Sequence, residues 1–136
     1  VGQFGPQLGF VAFGLRMGLI RRWLWASSTS IATGIADSVA LIENNGIDGQ
    51  RRVIDVSGDG EDNGGEDLEA ARQAANAKGI VINGLPIMSD VDDLDGYYEK
   101  RVIIGADSFV EPARDFDDYI RAIREKLLKE LRPLAS

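Results

Sequence analysis

The chain has 136 residues, 44% hydrophobic and 27% charged, with no Cys and no His. That length supports one domain with a buried core, and the missing side chains exclude disulfides, thiolate or imidazole metal sites and every catalytic triad that needs an imidazole base. The net charge of −7, from 22 acidic against 15 basic residues, would repel a phosphate backbone, so no nucleic acid is expected as a partner and cations or basic partners suit the surface better.

Composition divides the chain into an atypical segment, 1–25, and an orderly one, 26–136. The apolar run from Leu8 to Trp25 is interrupted by Arg16, Arg21 and Arg22, and its uncharged stretches are too short to cross a bilayer, so no membrane span is expected. Its basic residues follow the apolar part, the reverse of a signal peptide. Leu8 to Leu15 reads as a strand, whereas Arg21-Arg22-Trp23-Leu24-Trp25 matches no pattern. The opening Val, in place of Met, is read as putting the true N-terminus and any signal peptide upstream.

From Ala26 onward the elements are legible. The hydroxyl run Ser27-Ser28-Thr29-Ser30 supplies helix caps, and Ile31, Ile35, Val39 and Ile42 then recur at helical spacing until Asn44-Asn45-Gly46. Arg51 to Ser57 reads as a buried parallel strand, with Asp55 out of place in it. Glu66 to Lys78 reads as a second helix that stops at Gly79, and Ile80 to Leu85 as a strand closed by Pro86. Strand, helix, strand in that order predicts a parallel sheet with crossover helices. Beyond it come an acidic loop, Asp90 to Asp95, a short helical turn at Tyr97-Tyr98, an extended stretch from Arg101 to Ile104 and a short strand from Asp107 to Val110. The last helix takes Asp115 as N-cap and carries Phe116, Ile120, Ile123, Leu127 and Leu131 as one core stripe, with Pro133 as its stop.

Ligands in open α/β sheets sit beyond the carboxyl ends of strands, which directs attention to Thr29, just before a helix, and Asp59, just after a strand. A hydroxyl and a carboxylate from separate loops would supply part of the oxygen shell that Mg²⁺ takes. The alternative is that Thr29 only caps its helix and Asp59 only makes a turn. An EF-hand-like loop from Asp59 fails at its twelfth position, where Ala70 replaces the bidentate Glu. Asp62, Glu66 and Asp67 are assigned to the following helix N-terminus. Asp90, Asp92, Asp93 and Asp95 read as a solvated loop, and Tyr97 and Tyr98 as packing. No phosphate-binding glycine loop is present.

Three blocks carry a family resemblance: Thr29-Ser30-Ile31, the run Arg51-Arg52-Val53-Ile54-Asp55-Val56-Ser57-Gly58-Asp59-Gly60, and Gly79-Ile80-Val81-Ile82-Asn83-Gly84-Leu85-Pro86-Ile87. With Asp93 to Tyr98, Val102 to Gly105 and Asp107 to Val110, they resemble the bacterial DUF1194 family over about Ser27 to Leu131. The resemblance implies a Rossmann-like von Willebrand factor A-type three-layer α/β sandwich, with a mostly parallel sheet, helices on both faces and a truncated N-terminus. It further implies a metal-ion-dependent adhesion site, in which Thr29 and Asp59 match two parts of the ligand pattern. The Asp-x-Ser-x-Ser part is absent. Asp55-Val56-Ser57-Gly58-Asp59 imitates it by letters but belongs to a later strand.

The function so implied is a protein-interaction module that engages a partner's carboxylate through Mg²⁺, with an incomplete site in this chain and a sheet lacking one central strand. The alternatives are a scaffold domain without metal and a metal-assisted enzyme, although no nucleophile and base pair can be named. A periplasmic or secreted location follows from the resemblance alone.

Overall fold

In the computed structural model, the residues described are 8–15, 23–26, 30–44, 51–62, 67–89 and 91–130. They form an α/β fold. In chain order the elements are β1 (Leu8–Leu15), β2 (Trp23–Ala26), α1 (Ile31–Asn44), β3 (Arg51–Gly58), α2 (Leu68–Ala77), β4 (Ile80–Pro86), α3 (Leu94–Arg101) and α4 (Tyr119–Glu130).

The strands are ordered β2-β1-β3-β4. β3 and β4 are parallel, with Arg52 opposite Ile80 and Gly58 opposite Pro86, as the strand-helix-strand reading requires. The rest of the sheet departs from a mostly parallel arrangement, because β1 runs antiparallel to both β2 and β3. On the side of β3 away from β4 stands β1, the strand expected over Leu8 to Leu15, which pairs with it from Gly9–Ser57 to Leu15–Arg51. Of the pattern-less Arg21 to Trp25, the last three residues lie in β2, at the edge of the sheet, and the two arginines lie outside the described residues.

Alternation along β3 divides its side chains between two layers. Ile54 and Val56 join Ile80 and Ile82 of β4 in a core with Ile31, Ile35 and Ile42 of α1, Leu68 and Ala75 of α2, and Leu94 and Tyr98 of α3. On the opposite face Val53 and Val81 meet Leu127 of α4, and Leu85 and Ile87 meet Ala113, Ala122, Tyr119 and Ile123. Helices therefore lie on both faces of the sheet.

α2 stops where Gly79 adopts φ +72°, a left-handed conformation that glycine takes without Cβ strain. Its amide donates to the Asn76 carbonyl at 3.0 Å. At the N-terminus, Asp67 accepts from the Ala70 amide at 3.0 Å.

Three expectations for the C-terminal third are corrected. Tyr97 and Tyr98 lie in the eight-residue helix α3, which takes in Arg101, so Arg101 to Ile104 is not extended. Of this stretch Ile104 alone forms a β-bridge, to Ile82. Asp107 to Val110 is no strand either: Asp107 has φ +62°, and Val110 alone bridges Gly84. These single bridges, continued by Ala113 on Ile87, cover the outer edge of β4 and satisfy backbone groups a bare edge would expose.

The third correction concerns α4. Its apolar stripe is split: Ile123 and Leu127 pack on the sheet as expected, but Ile120 is 77% exposed and Phe116 48%, and Leu131 lies outside the described residues. Lys126 is instead 4% exposed, turned inward to an ion pair with Asp55. The Asp55 carboxylate in mid-sheet fixes the rotation of the helix, because a buried charge without a partner costs more than two apolar side chains left in water.

Candidate functional site

β3 ends at Gly58, and the chain turns through residues 59–62 at the carboxyl edge of the sheet. The Gly58 carbonyl accepts the Ile87 amide at 2.8 Å, joining this loop to the end of β4. Asp59 is half-buried, Gly60 buried and Glu61 exposed.

Asp62 anchors the loop. Its Oδ1 accepts the Ile31 amide at 2.8 Å, so it satisfies one of the unpaired donors in the first turn of α1 from 31 residues away. Its own amide donates to the Tyr97 hydroxyl at 3.1 Å. Asp62 therefore serves α1, not the following helix, while Asp67 does cap α2 as expected and Glu66 lies outside the described residues. The cap of α1 itself is Ser30, whose Oγ accepts the Thr33 amide at 3.0 Å and donates to Thr33 Oγ1 at 2.8 Å. Thr29 lies outside the described residues.

The structure thus brings the start of α1 and the loop bearing Asp59 to one edge. Tyr97 and Tyr98 of α3 border it, their rings 6.3 Å apart and edge-to-face. Tyr98 is fully buried, and its hydroxyl has no hydrogen-bond partner among the described residues. Burial pushes that hydroxyl's pKa far above the usual phenol value, with the Tyr97 and Asp59 charges adding to the shift. Burial likewise raises the Tyr97 hydroxyl.

The look-alike Asp55-Val56-Ser57-Gly58-Asp59 is divided by the pleat. Asp55 and Ser57 point under α4, where Asp55 pairs with Lys126. Ser57 Oγ donates to the Leu85 carbonyl at 3.2 Å and shares a 3.0 Å hydrogen bond with the Tyr119 hydroxyl. Burial raises the Tyr119 pKa against the opposing effect of that bond. These two side chains are engaged by the fold, and Asp59 is the member of the look-alike at the edge.

This donor set does not fit a protein-closed metal site. Among the described residues no group of three or more Asp, Glu, His or Cys side chains could hold an ion, and Asp62 Oδ1 is engaged by α1. Mg²⁺ takes about six oxygens in near-octahedral geometry. Of the expected solvated acidic loop, Asp92 and Asp93 are exposed, whereas Asp95 is half-buried in the first turn of α3 and Asp90 lies outside the described residues. Among the described residues no helix is long and apolar enough to cross a membrane.

The family described as "Protein of unknown function (DUF1194)" matches residues 19–135. The chain belongs to the DUF1194 family. The match takes in all of α1 to α4, both parallel strands and the Asp59 loop. No curated protein and no solved structure matches the chain.

The sequence pattern missed the two polar contacts that organise this half of the molecule. Asp55 and Lys126 could have been paired from one signal, a lone carboxylate in an apolar strand and a lysine among helix positions that must face it. The link between Asp62 and Ile31 has no local signal, since nothing in residues 59–62 points to a helix 31 positions earlier.

Proposed function

We propose that this DUF1194 chain is a protein-interaction module whose contact edge is the loop cluster beyond the carboxyl end of β3. The observation that carries the reading is the Asp62 hydrogen bond to the Ile31 amide. It clamps the Asp59 loop onto the start of α1 and gives a loop edge held by rigid elements, the usual seat of binding residues. Asp59 at that edge and Thr29, which lies outside the described residues, are the protein donors of an incomplete metal-ion-dependent adhesion site of the von Willebrand factor A type, one that Mg²⁺ occupies weakly. With so few protein oxygens, most of the ion's shell would be water. The reading is non-enzymatic, and the partner is a protein offering a carboxylate to that ion. A periplasmic or secreted location belongs to the same proposal.

Calorimetric Mg²⁺ titration of the chain and of its Thr29→Ala and Asp59→Ala variants tests the assignment. Weak binding that drops in both variants supports it, and equal affinity in all three overturns it. A second reading, a scaffold without metal, is favoured by the engagement of Asp55, Ser57 and Asp62 in fold contacts. It predicts a lower melting temperature in the variants with no change in the titration.

A further inference from the structure

The rotation of α4 that buries Lys126 leaves an apolar strip outside. Phe116, Ile120 and Leu128 are 48%, 77% and 52% exposed. Side by side with Ile120 stand Asp117 and Arg124, both exposed and in no ion pair among the described residues, although their neighbours Asp118, Arg121 and Lys129 are all paired. The turn before α4 continues its line: the Tyr119 amide donates to the Phe116 carbonyl at 3.2 Å and the Ala122 amide to the Asp118 carbonyl at 3.1 Å. At ~100° per residue, Asp117 and Arg124 both fall within about 60° of Ile120. They stand roughly 5 Å to either side of it along the axis at ~1.5 Å per residue.

That order, acid, isoleucine, base, is self-complementary under a two-fold axis. We propose that α4 is the interface of a homodimer, in which two copies of the helix pack antiparallel about an axis beside Ile120. Ile120 of each copy then meets Ile120 of the other, Asp117 of each meets Arg124 of the other, and Phe116 covers the aliphatic stem of the opposing arginine. An isologous contact requires such reciprocity, residue i on j and j on i. Arg121, which also falls near the axis, brings no like-charge penalty, because Asp118 holds it at 2.6 Å and Glu111 stands 3.7 Å away in its own chain. One helix per copy makes a small interface, so the dimer is weak and concentration-dependent. This inference does not rest on the metal-edge reading, since the helix packs on the sheet through residues other than those at the Asp59 edge.

Sedimentation equilibrium of the 136-residue chain over a concentration series up to about 1 mM tests it. A mass rising from 14.8 kDa towards twice that value is expected. Asp117→Arg and Arg124→Asp, each turning two attractions into repulsions, should weaken association about tenfold or more. The double variant Asp117→Arg/Arg124→Asp should restore it, and Ile120→Glu should abolish it. Melting curves of the variants at low concentration should match the wild type, since all three residues are exposed. A wild type that stays monomeric throughout overturns the proposal. So do single reversals without effect, and so does a double variant as weak as the singles.

Discussion

Lys126 is the side chain whose replacement tests most directly how α4 is held. Lys126 and Asp55 are each 4% exposed and in contact, beneath a helix whose remaining inward contacts come from Ala122, Tyr119, Ile123 and Leu127. Lys126→Met keeps the length and the apolar stem but leaves Asp55 buried beside a thioether. Removing one partner of a buried pair costs about 3–5 kcal/mol. At roughly 4 °C per kcal/mol for a domain of this size, the melting temperature should fall by roughly 12–20 °C. Asp55→Val should be similarly costly, because it removes the carboxylate that faces the buried ammonium. The double variant Asp55→Val/Lys126→Met should recover most of the loss, since apolar replacement of a whole buried pair is often neutral or stabilising by about 1–4 kcal/mol. Urea unfolding of all four proteins closes the cycle. The reasoning fails if Lys126→Met costs less than about 1 kcal/mol, or if the two single losses add to within about 0.5 kcal/mol.

Asp62→Ala removes the acceptor of the Ile31 amide and should cost about 1 kcal/mol; faster hydrogen exchange confined to the first turn of α1 and the 59–62 loop would identify the lost clamp. Asp118 is held well below the usual carboxylate range by the Arg121 guanidinium and the Arg114 amide. A group with its folded-state pKa lowered stabilises fully above its unfolded value, about 3.9, and loses that contribution as pH falls towards the folded value. The melting-temperature difference between wild type and Asp118→Asn should therefore be flat above about pH 5 and shrink below about pH 4. At Gly84 an added Cβ would stand 2.6 Å from Tyr98 Cδ2, so Gly84→Ala should cost about 1–3 kcal/mol through overpacking. Tyr98→Phe removes only a buried hydroxyl without a partner among the described residues, and in denaturant melts it should be neutral or mildly stabilising.

Periodicity and stop signals located β1, α1, β3, α2 and β4 to within a few residues, because each has a local cause. Isoleucines at helical spacing define α1, and the left-handed Gly79 ends α2. What failed depended on contacts between distant residues. A run of hydroxyls announces a helix start without telling which oxygen turns inward, and Ser30 is the cap. Counting apolar positions gave α4 a stripe through Phe116 and Ile120, but the inward face is chosen by the charge on Asp55 across the sheet. Alternation of strands and helices predicts parallel pairing only where a helix connects two strands. That condition holds for β3-α2-β4 and not for the β1-β2 pair, which runs antiparallel beside them. At the candidate edge, Asp59 follows its strand as its place in the sequence implies, whereas Asp62 serves α1 and not the helix nearest in sequence, because its partner is 31 residues away.

The two faces of the sheet are closed by different means, and the difference bears on function. Towards α1, α2 and α3 the contact is aliphatic and aromatic, so it is tolerant of exchange among apolar residues of like volume. Towards α4 the strand presents Val53, Asp55 and Ser57, of which two are polar and matched by Lys126 and the Tyr119 hydroxyl. Such matching adds little to stability relative to an apolar face, but it fixes which side of α4 turns inward, and hence which side is left for contact. The same residues that resemble a metal motif by letters thereby hold a helix in one rotation. Asp59, one residue beyond the strand, lies at the loop edge, where Asp62 and Tyr97 keep its loop against the start of α1.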